Sequence, residues 1–472
     1  MIDLKHSRNL AVRLPAGCFL DVFLLPVLIA GLGLMMLASR VAAQTFLVLH
    51  SFPSGNDGAY PVGGLLLSSN ILFGTTEYGG TFGNGTVFAV TTDGTGFTNL
   101  WSFAGGSNGA NPQCGLILSS NTLYGTTAST VFAINTDGTG FTNLHNFTGR
   151  YDGGGLYAGL TLSSNTLYGT TQQGGTASGT GGGTLFAVST DGTGFNVLHS
   201  FTNGLDGANP LGVLILSGNS IYGTTWKGGI GVGGSQNGTV FALNTNGTGF
   251  TNLHSFPQTQ LYNGAGPQAG LVLVSNTLYG TTYQGGSSGN GTVFAINTDG
   301  TGFTNLHNFT GSDGAAPDAA TLALSGNTLY GTADSGGSYG GGAVFAINTD
   351  GTGFTVLHSF SGTDGTSPLA GLVLANNTLY GTALLGGIGG KGTIFSILIQ
   401  PQLTITPSGP NVILSWPTNF AGFDYTGYTL QSSTNLASPL WNTNLPPPVF
   451  VNGQLTVTNP ISGTQRFFRL SQ

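Results

Sequence analysis

The chain has 472 residues, of which 83 are glycine and only 5% are charged, and its net charge is −7 at pH 7. A hydrophobic content of 39% with so little charge excludes a solvated, disordered chain. The absence of a basic surplus argues against nucleic acid as a partner, so solubility rests on Asn, Thr, Ser and Gly.

Residues 1–43 read as an export signal. Lys5, Arg8 and Arg13 form a basic start, Val22 to Leu37 is apolar, and Val41-Ala42-Ala43 offers small residues for cleavage before Gln44. The apolar run is short for a span and carries Asp21 at its edge, so no membrane insertion is expected after cleavage. The mature chain then keeps one cysteine, Cys114, which rules out a disulfide framework.

From Gln44 to about residue 400 the chain repeats itself. A Leu-Tyr/Phe-Gly-Thr element recurs at Phe73, Tyr124, Tyr168, Tyr222, Tyr279, Tyr330 and Tyr380, in steps of 51, 44, 54, 57, 51 and 50 residues. A period near 50 belongs to propeller blades or similar stacked units. Each unit reads as four strands, a to d. In residues 115–147 these are Gly115 to Ser119, Thr122 to Thr127, Thr130 to Asn135 and Phe141 to Phe147, with Asp137-Gly138-Thr139-Gly140 as the last turn. Strands a and c are apolar on both faces, as in a sheet covered on both sides. The first copy is preceded by a lone d-type strand, Phe46 to Phe52, and the last copy ends after strand c, Thr393 to Ile399. The expected fold is all-β: a seven-bladed β-propeller over 44–400, closed by its N-terminal strand, so that no sheet edge is left free.

The runs Gly291 to Phe303 and Leu278 to Thr282 resemble the GloVer (Gloeobacter/Verrucomicrobia-type) tandem repeat. The resemblance covers roughly 45–399. It implies a secreted or cell-surface bacterial protein with a variable C-terminal anchoring module, and implies no particular activity. Residues 401–472 differ in pattern. Val412 to Trp416, Tyr428 to Ser432 and Gln465 to Leu470 are strand-like and suggest a small fibronectin-III-like β-sandwich.

Whatever recurs in every copy reads as scaffold. The strand-d histidines, His50, His145, His199, His254, His307 and His358, give way to Trp101 in one copy, which points to packing rather than metal binding. The Asp-Gly-Thr-Gly turns lack the closing carboxylate of a calcium loop. No cofactor is therefore expected, with calcium alone left open. The d-to-a connections carry Asp57, Asn108, Asp152, Asp206, Asn263, Asp313 and Asp364. These residues serve either to cap turns or to form an axial collar for cations or sugar hydroxyls. The b-to-c loops vary within a fixed frame, and Glu77 (the single glutamate), Tyr78, Trp226, Lys227, Tyr283 and Asp334 are the ligand-binding candidates there. No catalytic constellation stands out. The expectation is a non-enzymatic binding or adhesion protein for a glycan or a surface protein. The alternatives are a polysaccharide lyase or glycosidase using Glu77, Asp334 and Lys227, or a purely structural surface protein.

Overall fold

The computed structural model describes residues 44–472, apart from 54, 177, 231–236, 258–260, 319–320, 402, 435–439, 444, 461–465 and 472. The export signal expected over 1–43 lies outside the described residues. The rest divides into a unit at Gln44–Leu398 and a C-terminal unit from Ile399 onward.

Among the described residues, the first unit is built from seven four-stranded antiparallel sheets. In the first sheet Leu66–Ser68 (a) pairs with Ile71–Thr76 (b), b with Thr86–Thr91 (c), and c with Thr98–Ser102 (d). The order a-b-c-d holds in the next five sheets. In the seventh, strand d comes from the other end of the unit: Thr45–Ser51 pairs with Thr393–Leu398. It carries the same bulge as its counterparts. The register skips Leu49 here and Leu100 in the first sheet, because strand d bends outward at that point.

The Leu-Tyr-Gly-Thr-Thr signature of strand b has a physical reason at each position. Leu72 faces the preceding sheet and Phe73 the following one, each in a separate apolar cluster. Gly74 lies directly opposite Phe88 of strand c, and a Cβ on it would stand 2.4 Å from the Phe88 ring. The same approach recurs at Gly125, Gly169, Gly223, Gly280, Gly331 and Gly381, at 2.6 to 2.7 Å or, for Gly331, 2.5 Å. The first threonine donates to a carbonyl of the next sheet, as in Thr75 Oγ1 to Cys114 O (2.9 Å) and Thr224 Oγ1 to Ala269 O (2.8 Å). The second threonine pairs with the start of strand c, as in Thr76 with Thr86 (2.8 Å), and donates to the b-to-c loop at Tyr78 O (3.0 Å). In the sixth sheet both members of that pair are alanine, Ala333 opposite Ala343. Removing both partners together leaves no buried hydroxyl unsatisfied.

Sheet packs on sheet in chain order, and the seventh meets the first. Tyr380 and Ile394 share a cluster with Leu65, Leu72 and Phe88, while Thr382 Oγ1 donates to Gly63 O at 3.4 Å. Along the outer edge each strand-d histidine lies flat on the phenylalanine that opens strand d of the next sheet. His50 stacks on Phe97 with centroids 3.9 Å apart and planes 2° off parallel, and Trp101 takes the same place on Phe141 at 4.2 Å. The packing role expected for these histidines is what the rings perform.

In the C-terminal unit Thr404–Ser408, Asn411–Pro417, Gln454–Pro460 and Val449–Val451 form one sheet in that order, and Thr429–Ser433 pairs with Phe467–Ser471. Leu414, Trp416 and Val457 of the first sheet share a core with Leu430, Phe468 and Leu470 of the pair.

Candidate functional site

The d-to-a acids turn outward to their own strand ends. Asp206 accepts from the Thr202 amide at 3.0 Å and from its hydroxyl at 2.6 Å, and holds His199 Nε2 at 3.1 Å. Asp57, Asp152, Asp313 and Asp364 face His50, His145, His307 and His358 at 3.5, 3.5, 3.0 and 2.8 Å. Asn108 and Asn263 close short 3-10 turns, Gly106–Asn108 and Leu261–Asn263. These seven residues were the candidates for an axial collar, and a cavity of about 580 Å³ in this unit is lined by none of them.

The cavity is lined instead from five positions further along. Val62, Gln113, Tyr157, Leu211, Gln268, Asp318 and Leu369 follow Asp57, Asn108, Asp152, Asp206, Asn263, Asp313 and Asp364 at that constant offset, and all seven face the same space. One residue therefore comes from each repeat, at the entry to strand a. The lead to strand a passes close to its neighbours, so a Cβ on Gly63 would stand 2.4 Å from Cys114 O. Cys114 joins the lining, and burial pushes its thiol up to about 12, which makes it unreactive.

The lining mixes apolar side chains, glutamine amides, two aromatic rings and one carboxylate. Asp318 is half-buried, and its Oδ1 is covered and has no hydrogen-bond partner. Burial, reinforced by the charge of Asp334, pushes its carboxyl up to about 6. Asp334 is itself raised by burial, against the Ser367 hydroxyl, which favours its charged form. Among the described residues no group of three or more His, Cys, Asp or Glu side chains is placed to hold a metal.

Of the b-to-c candidates, Trp226 lines the cavity beside Gln172, and Lys227 Nζ lies 4.0 Å above its ring centroid. The Glu77 carboxylate accepts from Gln113 Nε2 at 2.6 Å, so it stands just behind the lining. Asp334 reaches the site through its effect on Asp318. Tyr78 is exposed, edge-on to Tyr60 at 5.8 Å, and Tyr283 is half-buried, its amide donating to Gly266 O at 3.1 Å. Neither of these two tyrosines belongs to the lining.

Sequence reasoning passed over Asp318, Gln113, Gln268 and Tyr157. Their signal was available: they occupy a variable position that follows proline in six of the seven copies. It also passed over a set of exposed apolar loop tips, Phe82, Tyr151, Leu205, Tyr262, Tyr339 and Ile388.

The sheets, their order and the repeated contacts define a tandem-repeat protein of β-propeller-like, all-β fold. The repeat family matches residues 37–234, 128–272 and 231–408, and the chain belongs to the Gloeobacter/Verrucomicrobia repeat family. No curated protein sequence matches it. Among solved structures it is similar to the extracellular domain of a hybrid two-component system of B. thetaiotaomicron, with 14% identity and a TM-score of 0.51 over 82% of this chain and 43% of that one. The chain thus spans under half the length of that relative. A second such domain from the same organism gives 11% identity and a TM-score of 0.47 over 88% and 53%. An oligogalacturonate lyase in complex with manganese gives 10% and 0.48 over 76% and 94%. At these identities the likeness concerns the fold alone. Among the described residues no helix is long and apolar enough to cross a membrane.

Proposed function

We propose that residues 44–398 form a closed seven-bladed β-propeller that is exported to the cell exterior and binds a saccharide at the mouth of its axial cavity, without turning it over. The C-terminal unit is read as a truncated fibronectin-III-like sandwich that spaces or anchors the propeller. The observation that carries this reading is the ring of seven equivalent positions around one cavity, where chemistry changes from copy to copy inside a frame that otherwise repeats. A cavity of a few hundred Å³ lined by rings and a few polar groups suits a small ligand or a chain end. Trp226 and Tyr157 offer faces for a pyranose, and the glutamine amides offer both donors and acceptors to hydroxyls.

The test is a glycan array with residues 44–472, with and without calcium. Binding to a defined carbohydrate subset is expected. It should be lost when Tyr157 and Trp226 are both replaced by Ala, with the fold retained. A blank array in both buffers sinks the saccharide reading and moves the weight to a protein partner. A hydrolytic second reading draws on one feature, a carboxyl pushed up to about 6 by burial and by the charge of a second carboxylate. Hydrolysis of a bound oligosaccharide that disappears in Asp334→Asn would establish it.

A further inference from the structure

The axial cavity holds buried negative charge without a positive partner. Among the described lining residues there is no Lys, Arg or His, while the lining residue Asp318 has an Oδ1 without a hydrogen-bond partner, and Asp334, outside the lining, adds negative charge that acts on it. Two lysines of the same unit are engaged: Lys227 over Trp226, and Lys391 donating to the Tyr60 hydroxyl at 2.7 Å. Glu77 contributes further negative charge behind Gln113. A buried carboxylate that lacks a partner costs several kcal/mol in general, which is why such groups keep a proton or acquire a cation. The surroundings favour an organic cation over a metal. One lining carboxylate among apolar side chains and rings falls short of the six or more oxygens a calcium ion takes. An ammonium is satisfied by two or three acceptors and gains from aromatic faces.

We infer that the saccharide taken at the axial cavity carries a free primary ammonium, as an amino sugar does, and that this group sits against the Asp318 carboxylate with its ring over Trp226 or Tyr157. The inference rests on the saccharide reading above. The glutamine amides at 113, 172 and 268 then meet the hydroxyls, which a bare alkylamine or a lysine side chain would leave unused. Binding moves a proton: the ammonium replaces the proton that Asp318 holds, and that proton passes to the buffer. Besides Asp318, the titratable side chains of the lining are Tyr157 and Cys114; Asp334, which acts on Asp318 from outside the lining, faces the Ser367 hydroxyl.

The experiment is calorimetric titration of the full mature chain with four probes: a glucosamine tetrasaccharide, its fully N-acetylated counterpart, cellotetraose and a lysine tripeptide. The glucosamine chain is expected to bind about tenfold or more tighter than the two neutral chains, a difference of roughly 1.4 kcal/mol per decade. Asp318→Asn should remove that preference while leaving a folded protein whose melting temperature at neutral pH is no lower than the parent's. Near pH 6, titrations in two buffers of different ionisation enthalpy should show release of about half a proton on binding to the wild type, and none in Asp318→Asn. Equal binding of the three oligosaccharides, or a preference that survives Asp318→Asn, overturns the ammonium inference and leaves the saccharide reading standing. Asp318-dependent binding of the lysine tripeptide in place of the amino sugar overturns the sugar assignment. Binding of no probe overturns the inference together with the saccharide reading.

Discussion

Gly280 in the repeat signature does one job. It leaves room for Phe294, whose ring tip would lie 2.7 Å from an added Cβ. The backbone there needs no positive φ, so the requirement is purely steric. Gly280→Ala is therefore expected to cost about 1–3 kcal/mol by overpacking, measured as a lower denaturant midpoint with an unchanged slope. An unchanged midpoint would remove this account of the motif. Asp137 and its counterparts show a different economy. The Asp137 carboxylate accepts from the amide and hydroxyl of Thr139 at 2.9 and 2.7 Å, so the turn satisfies itself. The glycines of that turn matter because its backbone meets the previous sheet: a Cβ on Gly138 would lie 2.8 Å from Leu100 O. This motif was legible as a turn from sequence, but its second task, holding the neighbouring strand, was not. Spacing along one chain does not say which other strand will lie against it.

The N-terminal strand is the element on which the first unit depends. Thr45–Ser51 gives the seventh sheet its fourth strand, and Phe46 stacks on His358 at 3.9 Å and on Phe395 at 5.4 Å. Phe52, at the end of the same segment, is fully buried among residues of the first and seventh sheets. Deleting 45–52 leaves the Thr393–Leu398 edge unpaired and opens the junction between the last sheet and the first. The expected result is a lower melting temperature together with concentration-dependent association through the open edge. A truncated protein that melts as the parent does and stays monomeric in sedimentation would contradict the closure. The unmatched d-type strand at one end and the missing one at the other made this pairing visible in the sequence. The b-to-c loops were visible as variable segments, yet their depth was not. Trp226 lines the cavity while Tyr283 does not, although each directly follows its threonine pair.

For the whole molecule, the repeated histidines link stability to pH. His50, His145, His254, His307 and His358 are all held below the usual histidine range, chiefly by burial, and His254, which has Asn263 where others have an aspartate, falls to about 4. A histidine with a lowered folded value binds its proton more readily when unfolded. Its stabilising contribution is complete above about 6.5 and is lost as pH falls toward the folded value. Unfolding midpoints should therefore decline between pH 6.5 and 4. His254→Trp, which copies the Trp101 arrangement, should flatten part of that decline. Asp318 acts in the opposite sense, losing stability as pH rises through about 6, so Asp318→Asn is the background in which to measure the histidine effect. Midpoints that stay level from pH 7 to 4 would refute the linkage.

Periodicity, alternation and turn chemistry are local properties, and they suffice to give the repeat, the four strands of each unit and the scaffold role of whatever recurs. Which residue of each unit faces the axis is not local. The aspartates and asparagines looked like the collar because they mark the loop, but the loop rotates through a further five residues before strand a begins. The chain then presents Val62, Gln113, Tyr157, Leu211, Gln268, Asp318 and Leu369 to one space. Only the convergence of seven separate sheets puts these side chains together, and only burial among them raises the Asp318 carboxyl and leaves one of its oxygens without a partner.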